Sequence, residues 1–313
     1  MAVRMDALAR EVTREASTEV LYGKRVAMLS RRAKSELGYD IGLFDTIDCF
    51  ALMHEEFKDA TLRQYAAALA WAVDTAEETG ELNDQEAAAC RERLATRPVP
   101  RPRDAEKRTS GKKRKSVSQK DFVAVCRALA KRNRGEDKLL LRLLVSNMGL
   151  GLRPCEYHGA TLTESMLVVR SAKATNGRAL AEFREFELDD ASSGQVESLV
   201  QLIEDINAAA ENELHALIDR LGGRLRRVCR HIGVEPFSLY TTRHQAIANI
   251  KATGSAEEVA AFAGHNSIDT ARKYYAPRRS AWKIDKSIKP TPRMVDLVEE
   301  RVAHRGAKRR PKL

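Results

Sequence analysis

The sequence predicts a mainly α-helical protein: an all-helical N-terminal domain, then an α+β domain of helices around a small antiparallel sheet. Three observations carry this expectation. Up to about residue 96 the apolar residues recur at helical spacing and no stretch alternates. A segment rich in proline, lysine and arginine then breaks the pattern. Beyond Ser118 helical spacing returns, interrupted once by MLVVRSAKATNGRALAEFREFEL, which alternates and contains Asn176-Gly177, a strong short-range hairpin signal.

In the first domain, 1–96, RQYAAALAWAVDTAEETG sets Tyr65, Leu69, Ala72 and Val73 on one helical face, with Gly80 as its stop. LNDQEAAACRERLA follows, with Asn83 or Asp84 as N-cap. The linker, 97–117, holds Pro98, Pro100 and Pro102, which block a helix. Residues 97–115 carry 9 Lys/Arg against 2 acids. Such a segment is either a solvated tether or a strap along a phosphate backbone, where neutralised phosphates release counterions.

The second domain, 118–289, opens on SQKDFVAVCRALAKRN, with Ser118 as N-cap. DKLLLRLLVSNMGLGLRP is an apolar helix ending in a glycine-rich bend. After the alternating stretch, VESLVQLIEDINAAAENELHALIDRL and RLRRVCRHIGV read as helical, the latter ending on Gly233. Further helices follow, with loops around Pro236, Gly254 and Gly264. In the last segment, 290–313, TPRMVDLVEERVAH is amphipathic, with Met294, Leu297 and Val298 along one face, before a basic tail. That face can pack in cis or dock on a neighbouring copy.

The length of 313 residues leaves room for two domains, and a hydrophobic fraction of 43% supports packed cores. Against 44 Asp+Glu stand 54 Lys+Arg, a net charge of +10 that suits a polyanion such as nucleic acid. The five cysteines are scattered, with no zinc-ligand spacing and no disulfide framework, and read as buried hydrophobes in a reducing cytosol. MAVRMDALAREVTREAS lacks the apolar core of a secretion signal, and no apolar run approaches the roughly 20 residues of a membrane helix. The expectation is a cytoplasmic, nucleoid-associated protein with no membrane partner.

Four places could carry chemistry: Arg153 in GLGLRPCE, Lys173 before Asn176-Gly177, Arg243-His244 in LYTTRHQAIAN, and GHNSIDTARKYYAP with His265, Tyr274 and Tyr275. Each alone has an ordinary reading as a cap, a solvated lysine or a packing pair. In this order, GLRPCE, SAKATNGR, YTTRH and GHNSIDTARKYY together resemble the catalytic domain of the tyrosine recombinase (phage integrase-like) family. The resemblance covers roughly residues 118–285, and the helical domain and basic linker before it look like that family's core-binding domain and connector.

That resemblance implies a site-specific recombinase. A tyrosine attacks a DNA phosphodiester, leaving a 3′-phosphotyrosyl link and a free 5′-hydroxyl, which later attacks in reverse. Arg153 and Arg243 would offer rigid donor forks to the charge on the phosphate. His265 would donate a further hydrogen bond, and Lys173 would protonate the leaving oxygen. Neither a metal nor ATP is implied. Tyr240 stands where the family commonly has His or Lys; its hydroxyl can hydrogen-bond the phosphate but is a poor general base at neutral pH. Adjacent residues on a helix diverge by about 100°, so His244 is expected to be structural. Glu156 is either a buttress for an arginine or a simple acid at a helix start. The family's interval from the Gly-His histidine selects Tyr274 over Tyr275 as nucleophile. The partner implied is double-stranded DNA, held by a homo-tetramer built from a dimer per site, with accessory DNA-bending proteins allowed. A non-catalytic DNA-binding relative and a type IB topoisomerase-like nicking-closing enzyme are the alternatives.

Overall fold

The computed structural model describes residues 16–53, 56–57, 59–95, 114–163, 165–174, 179–283 and 288–309. The chain divides into two compact units, Met1–Lys112 and Lys113–Leu313.

Among the described residues the first unit holds four helices: α1 (Ala16–Leu37), α2 (Leu43–Leu52), α3 (Asp59–Glu78) and α4 (Asp84–Ala95). Leu69 and Val73 of α3, one turn apart, are buried with Leu29, Ile47, Phe50 and Cys90. Gly80 ends the turn after α3 at φ +77°, a conformation glycine adopts without strain. Asn83 is the cap of α4: its Oδ1 accepts from Glu86 N at 3.0 Å, and the Glu86 carboxylate accepts from Asn83 N at 3.0 Å. Most of the expected linker, residues 97–113, lies outside the described residues.

The linker's last residues, 114–117, belong to the second unit. Val117 is buried there, and Arg114 pairs with Asp121 at 2.9 Å while its carbonyl accepts from Thr241 Oγ1. α5 (Gln119–Arg132) begins as expected on Ser118, whose hydroxyl accepts from Asp121 N. α6 (Gly135–Leu150) packs against α5, and its apolar run buries Leu139, Leu140, Leu143, Leu144 and Leu150.

The sheet is four antiparallel strands in sequential order, β1 (Thr161–Leu162), β2 (Met166–Arg170), β3 (Phe183–Glu187) and β4 (Lys289–Pro290). Alternation places Leu167, Val169, Arg184 and Phe186 on the buried face. The last β2–β3 pair is Arg170 with Phe183. The Asn176-Gly177 turn of the sequence reading lies outside the described residues.

α7 (Ser193–Asn207) and α8 (Leu214–His231) then cover the core, split at residues 208–213. α9 (Leu239–Thr253) is buried over most of its length and packs on α6. α10 (Ala256–Ala263) and α11 (Ile268–Tyr274) follow, and α12 (Pro292–Arg309) closes the unit. Met294 and Val298 of α12 bury against Ala260, Ala261 and Leu180, so the amphipathic face packs in cis. Among the described residues no helix is long and apolar enough to cross a membrane.

Candidate active site

The site is organised around Glu156, whose side chain is fully enclosed. α6 ends at Gly151, at φ +57°, where a Cβ would meet the Phe262 ring at 2.7 Å. Pro154 then starts a 3-10 turn, Pro154–Tyr157, that turns Glu156 inward. One carboxylate oxygen accepts from Arg153 Nη1 at 2.5 Å and from Ala172 N at 3.1 Å. The other accepts from Arg153 N at 2.7 Å and from Arg184 Nη2, and stands 3.7 Å from Arg243 Nη1. Glu156 is therefore both the cap of its turn and a buttress for arginines. Burial alone would raise its carboxyl, but Arg184, Arg243 and Arg153 hold it down at about 2. Its bond to Ala172 also anchors the chain one residue before Lys173.

Arg184 is the member of this group that the sequence reading missed. It is fully buried on β3, where burial brings the guanidinium down to about 10, and Nη1 donates to Phe262 O at 2.9 Å. Gly264, at φ +65°, lets this arginine pass: a Cβ there would meet Arg184 Cδ at 2.5 Å. The glycine of the Gly-His pair thus makes room for a cation, and His265 follows it into the site.

Arg243 lies on the buried face of α9 with no exposed surface. Its Nη1 donates to Gly151 O at 2.5 Å and Nη2 to Ala263 O at 2.7 Å, which leaves Nε for Tyr275 Oη at 3.3 Å. The guanidinium is held by backbone carbonyls, so its position does not depend on a ligand.

Beside it opens a cavity of about 450 Å³ lined by Arg153, Lys173, Tyr240, His244, His265 and Tyr275. Among the described residues, Arg153 Nε and both ring nitrogens of His265 are buried without a hydrogen-bond partner. Burial, then Arg243 and Arg153, keep His265 neutral by lowering it to about 3. Buried nitrogens of this kind, next to cationic side chains, call for an explanation.

The two tyrosines separate at a helix end. α11 stops at Tyr274, which borders the cavity but is 63% exposed. Tyr275 is extended, with φ −107° and ψ 167°, and its ring turns inward to lie 4.9 Å from His265 and 4.7 Å from His244. Its hydroxyl lies 3.2 Å from that of Tyr240. Burial opposes ionisation of Tyr275, but Arg243 and the hydrogen bond from Tyr240 outweigh it, so the phenol is shifted down. Tyr240 is shifted up, by burial first. Arg153, Lys173, Tyr240 and His265 line one cavity with both tyrosines, Arg243 lies buried behind it, and the tyrosine bonded to that arginine is Tyr275.

His244 also differs from its expected place. Four residues beyond Tyr240 on α9, it shares that residue's face, and the rings lie 5.2 Å apart beside the cavity. Burial, then Lys115 and Arg243, lower it to about 4.

No family model matches the chain, and no curated protein matches it. Solved structures do. A lambda integrase tetramer bound to a Holliday junction superposes with a TM-score of 0.53 at 14% identity, over 88% of this chain and 76% of that one. A lambda integrase (75–356) dimer bound to a COC′ core site gives 0.52 at 16% identity, over 87% and 93%. The same integrase fragment bound to DNA gives 0.51 at 14%, over 88% and 94%. The chain has the tyrosine recombinase fold.

Proposed function

We propose that this chain is a site-specific DNA recombinase that cuts and rejoins double-stranded DNA through Tyr275. The reading rests chiefly on one observation: the Tyr275 hydroxyl meets Arg243 Nε at 3.3 Å, beside a cavity lined by Arg153, Lys173 and His265. Tyr275 Oη attacks the scissile phosphorus and forms the P–Oη bond, and the bond to the 5′-oxygen breaks. The product is a 3′-phosphotyrosyl link and a 5′-hydroxyl, and the reverse attack by a 5′-hydroxyl reseals the strand.

Each side chain has a part in that exchange. Arg153 and Arg243 bear the charge that builds on the non-bridging oxygens, and neutral His265 donates one N–H to the same phosphate. Lys173, on the connection after β2, gives its proton to the departing 5′-oxygen. Tyr240 orients the attacking hydroxyl rather than deprotonating it, because its own phenol is shifted up. The lowered Tyr275 phenol supports passing its proton to bulk water as Oη attacks, with Arg243 beside it. Assembly follows the same reading, with a dimer on each site and a tetramer on two.

A nicked suicide duplex, from which the 5′-hydroxyl fragment diffuses away, tests the reaction. The expected result is a covalent protein–DNA band, lost with Tyr275→Phe and kept with Tyr274→Phe. Binding without any adduct on cognate DNA would make the chain a DNA-binding relative. Relaxation of supercoiled plasmids regardless of sequence would make it a topoisomerase.

A further inference from the structure

The attacking tyrosine of the proposed reaction sits just past a short helix, where backbone hydrogen bonding normally frays. Here a lysine from another helix occupies that end. Lys251 Nζ, on α9, donates to Ala271 O at 2.6 Å and to Ala276 O at 2.9 Å. Ala271 O lies in the last turn of α11 and also accepts from Tyr275 N at 3.2 Å, whereas Ala276 O belongs to the next residue along. The two carbonyls bracket Tyr275, and both alanines are buried. An ammonium is favoured at a helix C-terminus, where the carbonyls carry the negative end of the dipole.

Other α9 side chains continue the attachment. Gln245 Nε2 donates to Ser280 O at 2.6 Å, and Asn249 Oδ1 accepts from Trp282 N at 2.8 Å. Arg278 Nη2 returns to α9 at Ala252 O, at 2.5 Å. The helix that carries Arg243 therefore also holds the tyrosine segment from residue 271 to residue 282.

We infer that Lys251 is a positioning residue: its ammonium, bridging the carbonyls on either side of Tyr275, turns that side chain inward onto Arg243. This rests on Tyr275 being the nucleophile. Lys251 Nζ donates to the two backbone carbonyls and not to the Tyr275 hydroxyl, which bonds Arg243 and Tyr240. It ties down the backbone on both sides of residue 275, adding to the bond from Tyr275 N to Ala271 O.

Lys251→Met keeps the side chain's length and removes its three donors. Adduct formation in a single turnover is expected to slow about 10- to 100-fold, while the Kd for cognate DNA changes less than about twofold. Lys251→Arg, which restores the charge, recovers part of the rate, and Lys251→Gln, with one amide, falls between. A second readout does not need cleavage. In protein labelled with 13Cζ-tyrosine, the resonance missing from Tyr275→Phe identifies Tyr275, and Lys251→Met is expected to move it toward the position of an exposed tyrosine. An unmoved resonance overturns the inference, as does wild-type cleavage by Lys251→Met. A wild-type protein that forms no adduct refutes the proposed reaction instead, and the resonance still decides the role of Lys251.

Discussion

In the first unit arginines meet acids in water: Arg91 reaches Asp74 and Glu77 with its side chain 43% exposed, and Arg93 pairs with a half-exposed Asp48. In the second unit Glu156 has no exposed surface and faces Arg153, Arg184 and Arg243. Exposed pairs are screened and hold two mobile side chains, so they add little to stability. An enclosed carboxylate has lost its water and must be replaced by fixed donors. The contrast teaches where geometry is being enforced. Surface pairs can be dispensed with one at a time, whereas the Glu156 group fixes three guanidiniums relative to one another. Two of those guanidiniums belong to the proposed phosphate site.

The hardest blow to that contrast is Glu156→Gln, which leaves buried guanidiniums without their counter-charge. It is expected to destabilise the protein by about 3–5 kcal/mol in urea unfolding and to slow adduct formation at least about a hundredfold. A near-neutral result would mean that the buried group behaves like the surface pairs.

Acid should separate the units next. His265 and His244 are held at about 3 and about 4 when folded, against 6.5 for an unperturbed histidine, so the unfolded chain takes up protons first as pH falls. Their contribution is fully present above pH 6.5 and is lost as pH drops toward 4 and then 3. Glu156 adds its own loss between pH 4.5 and about 2. For His265 the change is on the order of a few kcal/mol. Urea midpoints measured at pH 7, 5.5 and 4.5 should fall steadily, and His265→Asn should flatten the trend.

The smallest effect is expected at the surface. Arg91→Ala should move Tm by only about 1–2 °C and leave adduct formation unchanged.

Much of this arrangement was legible in the sequence because its signals are local. Ser118 and Asn83 announce helix starts, and the apolar spacing of Leu69 and Val73 survives folding unchanged. Arg153, Lys173, Arg243 and His265 could be placed by their order along the chain. Arg184 could not, because a charged residue on a short alternating strand reads as solvent-facing, and only the partner across the fold, Glu156, makes its burial tolerable. Which tyrosine turns inward was hidden for a related reason. The interval from His265 selects Tyr274, but α11 ends between the two tyrosines, and the extended backbone at Tyr275 turns that ring into the cavity. His244 shares a face with Tyr240 through its i,i+4 spacing, a relation hidden when it is compared only with its neighbour Arg243.

Identifying the residue that carries DNA tests the central claim most directly. A suicide-substrate adduct, trimmed with nuclease and digested with protease, leaves a short nucleotide on one peptide for mass spectrometry. The account predicts that fragmentation places the nucleotide on Tyr275, with Tyr274 unmodified. A nucleotide on Tyr274 would contradict it.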